Sequence, residues 1–162
     1  MYFNYEHVWA GGHGNTAVDR TAAERYLAEG STRHGVETYL CILNPLDVDQ
    51  AVAVEYLVEE GGGKRVESAV PARSRCTRNV DADVGENHDI PMRLEAREGA
   101  SLEEPGEIVV ERPVYSLYGG ALPGGQVASG FPAFWRASSA PGALPPRSQP
   151  PRRRVATPVD MG

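Results

Sequence analysis

The stretch Ala51-Val52-Ala53-Val54-Glu55-Tyr56-Leu57-Val58-Glu59, the turn Gly61-Gly62-Gly63 and the run Lys64-Arg65-Val66-Glu67-Ser68-Ala69-Val70 decide the fold. Val52, Val54, Tyr56 and Val58 recur every second residue, with Glu55 and Glu59 on the opposite face; a helix would scatter them. The glycines turn the chain. Val66, Ser68 and Val70 then face inward while Arg65 and Glu67 face outward, so the spacing predicts an antiparallel hairpin with one dry and one wet face.

The same alternation extends in both directions. Residues 38–44 form an apolar run closed by Asn44-Pro45, a strand-ending signal. After the corner Pro71-Ala72-Arg73, residues 74–80 place Cys76 and Val80 on one face. Residues 90–97 set Ile90, Met92, Leu94 and Ala96 against Arg93, Glu95 and Arg97. Residues 107–118 carry Pro113, which lacks a ladder donor and predicts a bulge or an edge. Tyr26-Leu27-Ala28-Glu29-Gly30 reads as a short strand stopped by glycine. About seven short strands at regular spacing predict an all-β, immunoglobulin-like antiparallel sandwich over about 25–131. No segment holds helical periodicity for three turns.

Composition narrows the function classes. The chain has 162 residues with 41% hydrophobic content, 18 Gly and 13 Pro, enough for one turn-rich core. Residues 1–131 hold 11 Lys+Arg against 21 Asp+Glu, a net charge of −10, whereas 132–162 hold five Arg and one Asp, a net +4. An acidic body argues against nucleic acid as a partner, since phosphate contact needs a basic face. No apolar run approaches the roughly 20 residues of a membrane helix, so membrane insertion is not expected. Met1 leads directly into aromatic, strand-like sequence rather than a signal peptide.

An internal echo organises the ends. Met1-Tyr2-Phe3-Asn4-Tyr5 aligns with Val114-Tyr115-Ser116-Leu117-Tyr118, and the register carries Trp9 onto Leu122, Gly11-Gly12 onto Gly124-Gly125 and Ala17 onto Gly130. Tyr2 and Tyr115 stand 113 residues apart, as do Gly12 and Gly125. The expected organisation is a closing strand of a preceding, truncated repeat over 1–17, a linker over 18–24, the sandwich over 25–131 and a Pro/Arg-rich disordered tail over 132–162. In that arrangement strand 1–9 ends in the turn-prone Ala10-Gly11-Gly12-His13-Gly14.

These motifs together resemble a family of bacterial secreted or cell-surface β-sandwich repeat domains of unknown function. Tyr26-Leu27-Ala28-Glu29-Gly30 is similar to the opening motif of such units, Leu43-Asn44-Pro45 to the end of an early strand, and Glu111-Arg112-Pro113-Val114-Tyr115 to the closing motif. Tyr2-Phe3-Asn4-Tyr5 with Trp9-Ala10-Gly11-Gly12-His13 looks like the second half of a preceding closing motif. The resemblance covers about residues 1–131. It implies an extracellular or cell-surface module, used in tandem, with no catalytic residues and no cofactor assigned. Its implied partners are neighbouring repeats or other surface proteins, with cell-wall polysaccharide as a further candidate. In the second copy Leu122 and Gln126 stand where the family pattern has Trp and His.

Candidate chemistry is sparse. His7 and His13 could share a metal, but no zinc spacing surrounds them, and turn-region polar residues are the simpler reading. Asp81-Ala82-Asp83-Val84-Gly85-Glu86-Asn87-His88-Asp89 offers oxygen ligands yet lacks an EF-hand pattern, and reads as a solvated turn between strands. Ser68, Ser74 and Ser101 lack a nucleophile elbow. No catalytic, cofactor-binding or metal residue is assigned. Cys41 and Cys76 fall on strands that are sheet neighbours in immunoglobulin topologies, so they are a candidate disulfide, the alternative being two free thiols packed as small core residues. Tyr2, Tyr5, Trp9, Tyr115 and Tyr118 are a candidate aromatic contact strip, the alternative being core or inter-repeat packing. The leading functional expectation is a non-enzymatic structural or adhesion module of a larger tandem-repeat surface protein. The alternative is a carbohydrate- or cell-wall-binding module accompanying a hydrolase.

Overall fold

The computed structural model describes residues 2–5, 9–58, 63–99, 104–119 and 122–133, with the side chains of 2–5, 9–12, Tyr118 and Leu122 outside that description. The strands in chain order are β1 (Tyr2–Tyr5), β2 (Trp9–Gly12), β3 (Glu24–Leu27), β4 (Val36–Asn44), β5 (Gln50–Tyr56), β6 (Lys64–Val70), β7 (Ser74–Asn79), β8 (Met92–Glu98), β9 (Val109–Tyr118), β10 (Leu122–Ser129) and β11 (Phe131–Pro132). Among the described residues one short helix, α1 (Val80–Val84), follows β7.

Two antiparallel sheets make an all-β sandwich. One runs β10-β9-β4-β7 and the other β11-β3-β8-β5-β6, while β1 and β2 pair as a separate hairpin. The β5–β6 hairpin forms as the alternation predicts, with Val54 opposite Val66 and Val52 opposite Ser68. Between the sheets lie Leu40 and Ile42 from β4, Val52, Val54 and Tyr56 from β5, and Met92, Leu94 and Ala96 from β8, all at most 1% exposed. Each such aliphatic side chain contributes about 1.5–3 kcal/mol on burial, so this layer supplies most of the driving force.

Two expectations about the strands need correction. Residues 2–5 and 9–12 pair as two strands rather than forming one strand and a turn: Trp9–Gly12 is itself a strand, because an alternating segment pairs most cheaply with its immediate neighbour. Pro113 is neither on an edge nor at a bulge. β9 lies between β10 and β4. Pairing to β4 holds one register on both sides of a gap, Thr38 with Val114 and Cys41 with Glu111, and skips Tyr39 and Leu40 opposite Pro113 and Arg112. The missing donor is absorbed by an interrupted ladder, not by an extra residue.

The candidate bridge between Cys41 and Cys76 also fails. Their strands do pair, but Cys41 lies opposite Thr77 and Cys76 opposite Ile42. Directly opposed residues share a face and adjacent ones do not, so the two sulfurs project from opposite sides of the sheet. Cys76 packs against the core with Ile42, Cys41 lies 3.8 Å from the Thr77 hydroxyl, and both are free thiols.

Corners are pinned by buried polar side chains. Asn44 donates from Nδ2 to the carbonyls of Val48 (2.8 Å), Val70 (3.0 Å) and Pro71 (3.0 Å), and its Oδ1 accepts from Leu46 N at 3.0 Å. One amide thereby ties the β4–β5 crossover to the β6–β7 crossover, which explains why Asn precedes Pro45. Arg25, 1% exposed, donates to the carbonyls of Ile108 (3.2 Å), Gly130 (3.1 Å) and Arg20 (2.5 Å). It ties β3 to the entry of β9 and the exit of β10. No helix among the described residues is long and apolar enough to cross a membrane.

Candidate functional site

The region read as a solvated turn, 81–89, begins as helix α1. Asn79 caps it, its Oδ1 accepting from Ala82 N at 3.0 Å. Asp83 turns back toward the sandwich, where Arg78 grips it with Nε at 2.9 Å and Nη2 at 2.6 Å. Tyr56 donates its hydroxyl to the same carboxylate at 2.5 Å, Lys64 donates to the Asp83 carbonyl, and Arg78 reaches Ser68 Oγ. Burial alone would raise the Asp83 pKa, but the hydrogen bonds from Arg78 and Tyr56 outweigh it and hold the carboxyl below its ordinary range. Burial and the neighbouring carboxylate push the Tyr56 phenol up. With every partner engaged by another, this cluster is a strut between the β5–β6 hairpin and β7. Its charged partners are saturated. Asp81 differs: its Oδ1 is buried without a partner, and burial raises its pKa.

On the outer face of the five-stranded sheet, Arg93 bonds Glu24 through Nε at 2.7 Å and Glu55 through Nη1 at 3.0 Å, with Glu95 at 3.5 Å. These contacts stitch β3, β8 and β5 side by side.

Arg112, like Asp81, departs from this pattern of pairing. On β9 it alternates with Val110 and Val114, so period two directs it into the space between the sheets. It is 4% exposed, its Nε has no hydrogen-bond partner, and among the described residues no carboxylate forms an ion pair with it. Burial lowers its pKa, only partly offset by the field of Glu29. It lines a cleft of about 450 Å³ between the β3–β4 connection, the start of β8 and the β9–β10 pair. Leu57, Ile90, Pro91 and Val114 give that cleft apolar walls, and Glu29, Ser31, Asp89 and Gln126 give it a polar rim.

The walls are fixed. Ile90 N donates to Gly30 O at 2.8 Å and Leu57 N to Pro91 O at 2.9 Å. A Cβ on Gly30 would meet Met92 Cε at 2.7 Å and Ile90 O at 2.8 Å, so only glycine lets the 28–31 segment approach β8 this closely. At the rim, Arg33 holds Asp89 with two hydrogen bonds of 2.9 and 2.5 Å, and these depress the Asp89 pKa.

Of the aromatic strip, Tyr115 is half-buried and packs edge-on against Tyr39, ring centroids 5.9 Å apart. The side chains of Tyr2, Tyr5, Trp9 and Tyr118 lie outside the described residues, as do His7, Ser101 and the tail beyond 133. Among the described residues no three His, Cys, Asp or Glu side chains are grouped to hold a metal. Arg112 went unassigned in the sequence, although an arginine at an inward position between two valines was a readable signal.

No family model matches the chain. No curated protein matches it either. Among solved structures, the chain is similar to the crystal structure of Thermotoga maritima 1070, with a TM-score of 0.59 at 14% identity over 68% of this chain and 94% of that one. It is also similar to the Anabaena sensory rhodopsin transducer, with a TM-score of 0.45 at 22% identity over 59% of this chain and 97% of that one. The first likeness is one of fold. The second is too loose to carry an argument.

Proposed function

We propose that this chain is a non-enzymatic structural or adhesive β-sandwich unit of a tandem-repeat protein displayed outside the cell. One observation carries the reading. The hairpin β1–β2 pairs Tyr2 with Gly12, Phe3 with Gly11 and Asn4 with Ala10. The hairpin β9–β10 pairs Tyr115 with Gly125, Ser116 with Gly124 and Leu117 with Pro123. Every one of these pairs maps onto its counterpart with the 113-residue offset read from the sequence. An alignment of side chains alone does not require equal cross-strand registers, so the match supports two copies of one closing hairpin. β2 also lies alongside β10, which is how successive closing hairpins would meet in an array.

The paired-off charges around Asp83 and Arg93 suit a load-bearing or adhesive module, in which ion pairs hold strands rather than substrates. If the first hairpin belongs to a preceding unit, deleting residues 1–17 leaves a sandwich that unfolds cooperatively with nearly the same midpoint. Loss of cooperative unfolding would contradict the reading. Antibody labelling of the protein on intact cells tests the location: surface signal is expected, and signal appearing only after permeabilisation would count against it.

A further inference from the structure

We infer that the Arg112 cleft is a binding site for a small monocarboxylate whose far end carries hydrogen-bond donors, such as a sugar acid or an amino acid. The inference is independent of the tandem-array reading.

Arg112 is the reason. A guanidinium removed from water without a hydrogen bond at Nε and without a counter-ion is costly to the fold, and natural proteins keep such groups where something pairs with them. The other buried arginine, Arg25, is satisfied by three carbonyls. Arg112 faces the cleft instead. Its planar fork suits a carboxylate, which can accept two parallel hydrogen bonds. At about 450 Å³ the cleft falls within the ordinary range of small-ligand sites, and its mix of aliphatic wall and few polar groups is theirs too.

The rim selects the rest of the ligand. Glu29 and Asp89 both stand at the mouth, and Asp89 is already neutralised by Arg33. A dianion such as phosphate would carry its second charge past Glu29, so a single negative charge inward is favoured. Hydroxyl or ammonium donors at the other end would meet Glu29, Ser31 and Gln126. Ile90, Pro91 and Val114 would cover the carbon skeleton between.

The test is titration of the full-length protein with glucuronate and, separately, with 4-aminobutyrate, followed by amide chemical shifts and calorimetry, with glucose as the uncharged control. At least one acid is expected to bind saturably and to shift the amides of residues 28–31, 90 and 112–114, with glucose at least tenfold weaker. Arg112→Gln should weaken that binding tenfold or more, and Arg112→Lys should restore only part of it. Should Arg112→Gln fail to fold, Leu57→Trp serves in its place, since Leu57 is 47% exposed at the rim and the larger ring would fill the mouth. Glu29→Gln separates the sources: it weakens 4-aminobutyrate, whose ammonium loses its charged partner, and leaves glucuronate nearly unchanged, because the amide oxygen still accepts from a hydroxyl. Binding of neither acid, or binding that survives both Arg112→Gln and Leu57→Trp, would overturn the inference. So would Glu29→Gln destabilising the fold as Arg112→Gln does with neither acid bound, because Arg112 would then be a structural partner of Glu29.

Discussion

Cys41 and Cys76 stand on paired strands one residue out of register, so one thiol faces the outside of the sheet and the other the core. Both therefore titrate as free thiols under denaturing, non-reducing conditions. In the native protein Cys41 should be alkylated before Cys76, whose thiol is half-buried on the side that packs against the core. Mass spectrometry after a short alkylation pulse reads the difference. A bridged species, or equal labelling rates, would show the register to be wrong.

Asn44 joins the β4–β5 crossover to the β6–β7 crossover from a fully buried position. Asn44→Ala leaves the carbonyls of Val48, Val70 and Pro71 without their donor, and should cost about 3 kcal/mol in urea denaturation. Asn44→Asp should be no better, because a carboxylate would face three carbonyl oxygens. A loss under about 0.5 kcal/mol, the range of ordinary surface changes, would remove the amide from its proposed role.

Asp83 gives the protein an acid limb. Its folded pKa lies below the ordinary value of about 3.9, so its contribution is present above that value and is lost as pH falls through the lower folded one. Asp83→Asn should lower stability by about 3 kcal/mol at neutral pH and flatten the decline below pH about 4. The exposed pairs Arg33–Asp89 and Arg73–Asp47 add a similar slope, but high salt screens them and leaves the half-buried Asp83 term. Parallel pH–stability curves for the two proteins at high salt would contradict this assignment.

Gly106 lies where the chain enters β9. A Cβ there would meet Gln50 Oε1 at 2.0 Å, Arg97 N at 2.9 Å and Ala96 C at 3.0 Å. Two of those atoms are backbone, so the approach cannot relax by rotating a side chain. Gly106→Ala should cost about 2–3 kcal/mol, read as a lower thermal midpoint. Gln50→Ala in the same background relieves only the first clash, and full rescue by it would show that the backbone has more room than this.

The sandwich was legible because burial in a two-layer sheet imposes a period of two, and β5, β6 and β8 keep it almost without interruption. The 113-residue offset between the two ends was legible, but not that each end pairs as a hairpin, since pattern cannot say where Tyr5 gives way to Trp9. Pro113 misled because the propensity of one residue was outweighed by the pairing of its neighbours on both sides. The 81–89 segment misled for a related reason: acidic residues in a turn look solvated, and only the fold brings Arg78 and Tyr56 to Asp83. Nothing in the local sequence marks Arg112 as unpaired. That property depends on which residues the opposite sheet places near it.

The most direct measurement is the sequence of the reading frame on both sides of this chain. At least one further unit is expected there, with a closing hairpin of the Tyr2–Gly12 and Tyr115–Gly125 type, spaced by about 113 residues. A frame in which residues 1–17 have no companion unit upstream, and no second sandwich occurs on either side, would contradict that expectation.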